Sequence, residues 1–272
     1  YASGTLMKAD AQVAGLRVGT IQFMFHTTTY ITEAFPILGI TDLPGVGNHL
    51  YEHGERLDMD SALWKLINAE LAKDNLFMLT AGGGVFEPQF IWSSREKVVR
   101  LADLKGKRCR IVSPEAAEVL KQFGVMGVRV PSAQTYLALQ RGLVDVLVAN
   151  ISTVIARNLY EQLKFCFKIP VTTFSIPVFL LKDKWDKMPG RHKEAFWKAG
   201  QWYDQNQARV VNQKLYPQEY WPIINRAGIQ VLMPTEEEIQ IFGRRAEPIW
   251  GWWKHLVGEQ IGQRAIDLAL GK

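Results

Sequence analysis

Cysteine is nearly absent, with two in 272 residues, Cys109 and Cys166. Neither lies in a CxxC or a metal-ligand spacing, which argues against zinc-ribbon and thioredoxin-like chemistry. Two separate buried thiols are expected. A disulfide between them is the alternative, and would suit an oxidising compartment. No apolar run reaches the roughly 18 to 20 residues that span a bilayer. The longest, Val171 to Leu181, is broken by Thr172, Thr173, Ser175 and Pro177. The opening Tyr1-Ala2-Ser3-Gly4 has neither the basic start nor the apolar segment of a secretory leader, so a leader is expected to have been removed or omitted. Runs of like charge are missing too. The net +5 (32 basic minus 27 acidic) is spread along the chain, and no nucleic-acid partner is expected.

Motifs of catalysis and nucleotide binding are equally scarce. GxGxxG is absent. Gly82-Gly83-Gly84 leads into Val85-Phe86-Glu87-Pro88 rather than Lys-Ser/Thr, so a flexible turn or crossover is expected there, not a phosphate loop. There is no GxSxG, and His26, His49, His53, His192 and His255 fall in no recognised HExxH-like motif. Cys109 is the one thin nucleophile candidate. It alternates with Arg108 and Arg110 on a strand and should point into the core. No catalytic residue, metal site or cofactor is therefore expected.

What is present is a globular composition, 47% hydrophobic and 22% charged, long enough for two lobes. The middle of the chain alternates strand and helix patterns. Strands are predicted over 108–112, 128–130 and 143–148. Helices follow from Ser113 to Phe123, from Ser132 to Gln140, and from 151 to 163. This order implies a parallel sheet. Upstream, a helix is predicted over 11–18, a strand over 21–25, a helix over 61–72 and a strand over 76–80. Downstream, 171–181 reads as one long β-rich run able to cross between lobes. A helical stretch over 191–225 follows, interrupted near Pro217 and Pro222. Two more helices are predicted over 236–244 and 248–268. Trp250, Trp252 and Trp253 are expected to pack against a lobe.

Chains that cross between lobes more than once make a hinge and a cleft. Arg110 lies three residues before the predicted N-cap Ser113, where strand ends meet ligands in open α/β sheets. A guanidinium there can grip a carboxylate with two parallel bonds; a surface arginine paired with an acid is the plainer reading. Asn150 follows the third strand, as a helix N-cap or as a ligand contact. The polar run His26-Thr27-Thr28-Thr29-Tyr30 is either a solvated loop or a wall of the opposite lobe.

Several stretches carry a family likeness. Ala102-Asp103-Leu104-Lys105-Gly106-Lys107-Arg108-Cys109-Arg110 resembles a "DLKG-x-K-x-R" strand. Tyr136-Leu137-Ala138-Leu139-Gln140-Arg141-Gly142-Leu143-Val144-Asp145, then Asn150, resembles "Y-x-A-L-Q-x-G-x-V-D-G-x-E-N-P". With Gly19-Thr20-Ile21-Gln22 and Leu43-Pro44, these make the chain similar, over almost its whole length, to the DctP-type solute-binding proteins of TRAP (tripartite ATP-independent periplasmic) transporters.

The resemblance implies an α/β, two-lobed periplasmic-binding-protein clamp, type II-like, with a hinge, crossing strands and a long helix spanning both lobes. Lobe one is expected near 1–87 and 176–215, and lobe two near 88–175 and 216–272. It implies a periplasmic, monomeric, non-enzymatic protein that delivers a small organic acid to a TRAP membrane permease. Arg110, Asn150, Ser113 and Pro114 would contact ligand from lobe two; His26, Thr27 and Tyr30 would do so from lobe one. An enzyme on a similar clamp, or a sensor or scavenger without permease, are the alternatives. Departures fall around the ligand's other end. Ala149 and Ile151 flank Asn150 where the pattern has Glu and Pro, Val146 replaces a Gly, and Ile169-Pro170-Val171 replaces a Thr-Asn-His-like element. Glu96, between Arg95 and Lys97, stands where some members carry a second basic residue. Tyr1 to Leu6 resembles "Y-P-x-G-x-L", which lies further into mature members, so a first strand and helix are expected to be missing from the chain as given.

Overall fold

The computed structural model describes residues 6–272. The segment 1–5, with most of the "Y-P-x-G-x-L" likeness, lies outside the described residues. Among the described residues, nine strands form two sheets. They are β1 (Met24–Phe25), β2 (Leu76–Thr80), β3 (Gln89–Ser93), β4 (Arg108–Ile111), β5 (Met126–Arg129), β6 (Val146–Ala149), β7 (Phe165–Thr172), β8 (Val178–Leu181) and β9 (Gln230–Leu232). The helices are α1 (Gln12–Val18), α2 (Val46–Glu52), α3 (Ala62–Leu71), α4 (Pro114–Lys121), α5 (Thr135–Gln140), α6 (Ile151–Ala156), α7 (Lys182–Lys187), α8 (Gly190–Asn206), α9 (Ala208–Val210), α10 (Trp221–Arg226), α11 (Glu236–Val257) and α12 (Glu259–Leu270).

The smaller sheet has the order β1-β8-β2 and is antiparallel. The larger has the order β5-β4-β6-β3-β7-β9. Its β4 runs parallel to β5 and β6, as the alternating pattern predicts. The sheet is nevertheless mixed, because β3 lies antiparallel to both β6 and β7. Alternation along the strands feeds two cores. Ile91, Cys109, Val146, Val148 and Phe167 enter one, while Phe90, Trp92, Leu147, Ala149 and Cys166 enter the other. The two thiols are therefore separate and buried on opposite faces. Burial pushes the Cys109 thiol up to about 12.

Several boundaries depart from the sequence pattern. The predicted single run over 171–181 is two strands, β7 and β8, joined by 173–177. Pro177 has no N–H for a ladder, and the connecting residues bond elsewhere: Thr28 donates its N–H to the Ser175 carbonyl at 3.1 Å. The helix predicted over 151–163 stops at Ala156. The helical stretch near 191–225 runs through Pro217 in π geometry and breaks at Gln207 instead. There the glycine triplet wedges in. Asp204 Oδ1 accepts the N–H groups of Gly82 and Gly83, and Ala208 donates its N–H to the Gly82 carbonyl. The triplet is a crossover, as expected, but a tightly held one. Pro248 lies inside α11 rather than between two helices, and the break falls at Gly258, with φ +102°.

Three connections run between the sheets, and they are bonded to one another. Phe86 donates its N–H to the Phe174 carbonyl, Tyr203 donates its hydroxyl to the Ile176 carbonyl, and Asn212 bonds the backbone of both Val85 and Glu87. The C-terminus is distributed differently from the expected 216–272 block. Strand β9 joins the larger sheet, whereas α12 packs on α2 and α3 beside the smaller one. Trp253 is buried and donates its indole N–H to the Pro36 carbonyl, and Trp250 donates to that of Pro44, so these rings pack rather than stack on a ligand.

Candidate functional site

Arg110 is the third residue of β4 and is 2% exposed. Its Nε donates to the Val130 carbonyl at 2.9 Å and its Nη1 to that of Val148 at 3.0 Å. These carbonyls come from the flanking strand β6 and the end of β5, so the sheet itself sets the plane of the guanidinium. Burial lowers its pKa, opposed mainly by Tyr30. Guanidinium stays charged in proteins all the same. No carboxylate among the described residues forms an ion pair with it. Arg108 behaves oppositely. It forks onto Asp145 at 2.8 and 3.1 Å near solvent.

Arg110 opens into a cavity of about 290 Å³. The larger sheet contributes Gln89, Arg110 and Val112 to its wall; the opposite side contributes His26, Thr27 and Tyr30. A cavity of about 660 Å³ adjoins it through Tyr30, Val112, Ser132 and Arg157. The His26 ring nitrogen Nε2 lies 2.9 Å from the Ala9 carbonyl. A carbonyl only accepts, so Nε2 carries the proton. Burial lowers the pKa of His26, which favours the neutral ring. Two contacts tie the walls together: the Ser132 N–H donates to the Tyr30 hydroxyl at 3.0 Å, and Arg129 pairs with Glu33 at 2.6 Å.

Four of the seven residues singled out in the sequence thus meet in one cavity: Arg110, His26, Thr27 and Tyr30. The other three are placed elsewhere. Asn150 caps α6, accepts from Ser152 and Tyr216, donates to the Glu87 carbonyl and does not line the cavity. Ser113 caps α4, with Pro114 at its first position. Both sit beside a buried acid pair, Asp42 and Glu115, away from the cavity lining. Arg157 is the residue that sequence reasoning missed. It lines both cavities and donates to Ser132 Oγ at 3.2 Å, with no ion-pair partner among the described residues. Its position one helix past Asn150 carries no motif that would single it out.

The acid pair has its own pH signature. Thr28 and Thr41 donate to Asp42 Oδ2, and Thr32 donates to Glu115 Oε2. Burial raises both carboxyls, Glu115 to about 7 and Asp42 well above its ordinary range, and each disfavours the other's charge. Both pKa values are raised in the folded state, so the folded chain holds protons that the unfolded chain releases first. Stability therefore falls as pH rises from the ordinary carboxyl range through about 7. Glu115→Gln is expected to remove part of that slope and to be more stable than wild type at pH 8 by about 2 kcal/mol. Urea midpoints at pH 5 and pH 8 check this; parallel slopes in the two proteins would contradict it.

Among the described residues, no helix is long and apolar enough to cross a membrane. The chain can be set beside proteins already known. The Escherichia coli 2,3-diketo-L-gulonate-binding periplasmic protein YiaO is 24% identical over 242 residues, covering 88% of this chain and 71% of that one. A Bordetella pertussis extracytoplasmic solute receptor binding pyroglutamic acid superposes with a TM-score of 0.84 at 19% identity, over 98% of this chain and 85% of that one. A Rhodoferax ferrireducens TRAP periplasmic solute-binding protein with bound malonate superposes with a TM-score of 0.82 at 20% identity, over 98% and 83%. These structures share the two-lobed fold. The family model for bacterial extracellular solute-binding proteins, family 7, matches residues 1–255, and the chain therefore belongs to the DctP family.

Proposed function

We propose that the chain captures a small organic acid in the cavity at Arg110 and hands it to a TRAP-type permease on the outer side of a bacterial inner membrane. One observation carries this reading. Arg110 is a buried cation, fixed by two backbone carbonyls, facing a cavity with no carboxylate to neutralise it. Such a charge is uncompensated until an anion arrives. With Nε committed to Val130, the grip on a carboxylate runs through the terminal nitrogens rather than along the Nε edge. Arg157 supplies a second cationic contact toward the adjoining cavity, and His26, Thr27 and Tyr30 close the other wall. Pyroglutamate and malonate in the related structures are acids of a size that suits a 290 Å³ cavity.

Chemistry on the ligand is not part of this reading. The Cys109 thiol points into the core, and the His26 ring donates its Nε2 proton to the Ala9 carbonyl. The hinge follows from the three bonded connections, with the smaller sheet on one side and the larger on the other. A ligand touching both Arg110 and Tyr30 favours the closed form by its differential contacts.

The test is a thermal-shift screen of wild type and Arg110→Ala against mono- and dicarboxylates and sugar acids. Ligand at a hundred times its Kd adds about 2.7 kcal/mol. An acid that stabilises wild type and not the variant supports the reading. Equal shifts in both proteins, or none with any acid, would refute it. Arg157→Ala is expected to weaken the same ligand by about tenfold or more, the weight of one charge-assisted bond. Calorimetric titration measures it, and unchanged affinity would remove Arg157 from the site.

A further inference from the structure

The last turn of α2 and its C-cap residue His53 carry three side chains that the cleft does not use. His49, Glu52 and His53 each place a donor atom within 4.8 Å of the others. Residues four apart share a helix face, and the two imidazole centroids are 4.6 Å apart. Nε2 of His49 is buried without a hydrogen-bond partner. His49-Leu50-Tyr51-Glu52-His53 also has the order HxxEH, the reverse of HExxH. The sequence expectation of no recognised histidine motif is corrected on this point.

We propose that His49, Glu52 and His53 form a binding site for a divalent transition-metal ion, Zn²⁺ by ligand type, separate from the organic-acid cleft. Imidazole nitrogen and carboxylate oxygen bind Zn²⁺ at about 2.0 to 2.2 Å, so donors on one ion stand about 3.3 Å apart. Side-chain rotation alone closes the remaining gap, because all three groups belong to one turn of backbone. Two imidazoles select against Mg²⁺ and Ca²⁺, which prefer oxygen.

The surroundings suit a cation. The C-terminal end of α2 contributes partial negative charge. Glu55, 3.4 Å from His53 Nδ1, offsets Arg56. Glu52 and Glu55 also line a cavity of about 340 Å³ with Gly83, Arg209 and Asn212. None of its lining residues belongs to the cleft.

The experiment uses tag-free, chelator-stripped protein and Zn²⁺ itself. One-to-one binding by calorimetry is expected, with a rise in Tm of about 5 °C that EDTA reverses. Co²⁺ substituted at the site should show visible ligand-field bands of a nitrogen–oxygen site. His53→Gln and Glu52→Gln should each weaken Zn²⁺ at least tenfold while keeping the metal-free Tm. They are chosen because both side chains reach solvent, whereas His49 is packed. Absence of Zn²⁺ binding in wild type, or unchanged binding in the Glu52→Gln/His53→Gln double variant, would overturn the site. Absence of Co²⁺ bands would do the same.

Discussion

Replacing Arg110 with lysine is expected to weaken organic-acid binding by about tenfold or more, and replacing it with alanine by up to about a hundredfold. The two effects have different origins. Lysine keeps the charge but offers one nitrogen where Arg110 uses three. It cannot serve Val130, Val148 and a ligand in one plane. Alanine leaves the bound carboxylate desolvated without a partner, and also strips those two carbonyls of their donors. Part of its effect will therefore appear as lost stability, which urea denaturation of the unliganded variant separates from lost affinity. Arg108→Ala is the control on the same strand. Its pair with Asp145 lies at the surface, where such pairs contribute little. Calorimetry should find its affinity unchanged. Loss of binding in Arg108→Ala with normal binding in Arg110→Ala would reverse the assignment.

A single methyl group at Gly83 is expected to destabilise the fold by about 2 to 4 kcal/mol, the combined effect of positive φ and overpacking. Gly83 has φ +75°, and a Cβ there would sit 2.6 Å from the Asp204 carbonyl carbon and closer still to its oxygen. That backbone cannot retreat, because Asp204 also receives N–H groups from Gly82, Gly83 and Met59. Gly19→Ala provides the comparison, with φ +81° and open space around the added carbon. It should cost only about 1 kcal/mol, from the backbone alone. Urea midpoints decide, and equal losses at the two positions would show that the close approach to α8 is unimportant.

Strand and helix identities were legible where hydrophobic period and caps coincide. Ser113-Pro114 marked α4 because capping chemistry is local, and β4 and β6 announced themselves by buried runs. Pairing partners were not legible. That β3 runs antiparallel between β6 and β7 depends on contacts between residues such as Trp92 and Cys166, which share no local signal. The break at Gln207 was invisible for the same reason. Its cause is the Gly82 loop, far away in sequence, while Pro217 fits into π geometry and Pro222 into the first turn of α10. Arg110, which lines the cavity, was singled out because its strand carries the family pattern. Asn150 has the same residue type in either role; the cap to Ser152 is local, while its bonds to Tyr216 and Glu87 come from positions distant in sequence. Arg157 had no periodicity or motif to distinguish it from a solvated arginine.

The placement of α11 and α12 has a consequence for the order in which the chain can mature. Trp253 reaches the Pro36 carbonyl across 217 positions, and Arg56 donates to the Ala269 carbonyl across 213. The core beside the smaller sheet joins residues near 36–56 to residues near 253–269. A chain synthesised from its N-terminus cannot finish that core until residues near 270 are available, because loops of this length close late and gain nothing until they do. Intermediates truncated before α11 expose the apolar faces of α2 and α3 and wait, unfolded in that region, for the tail.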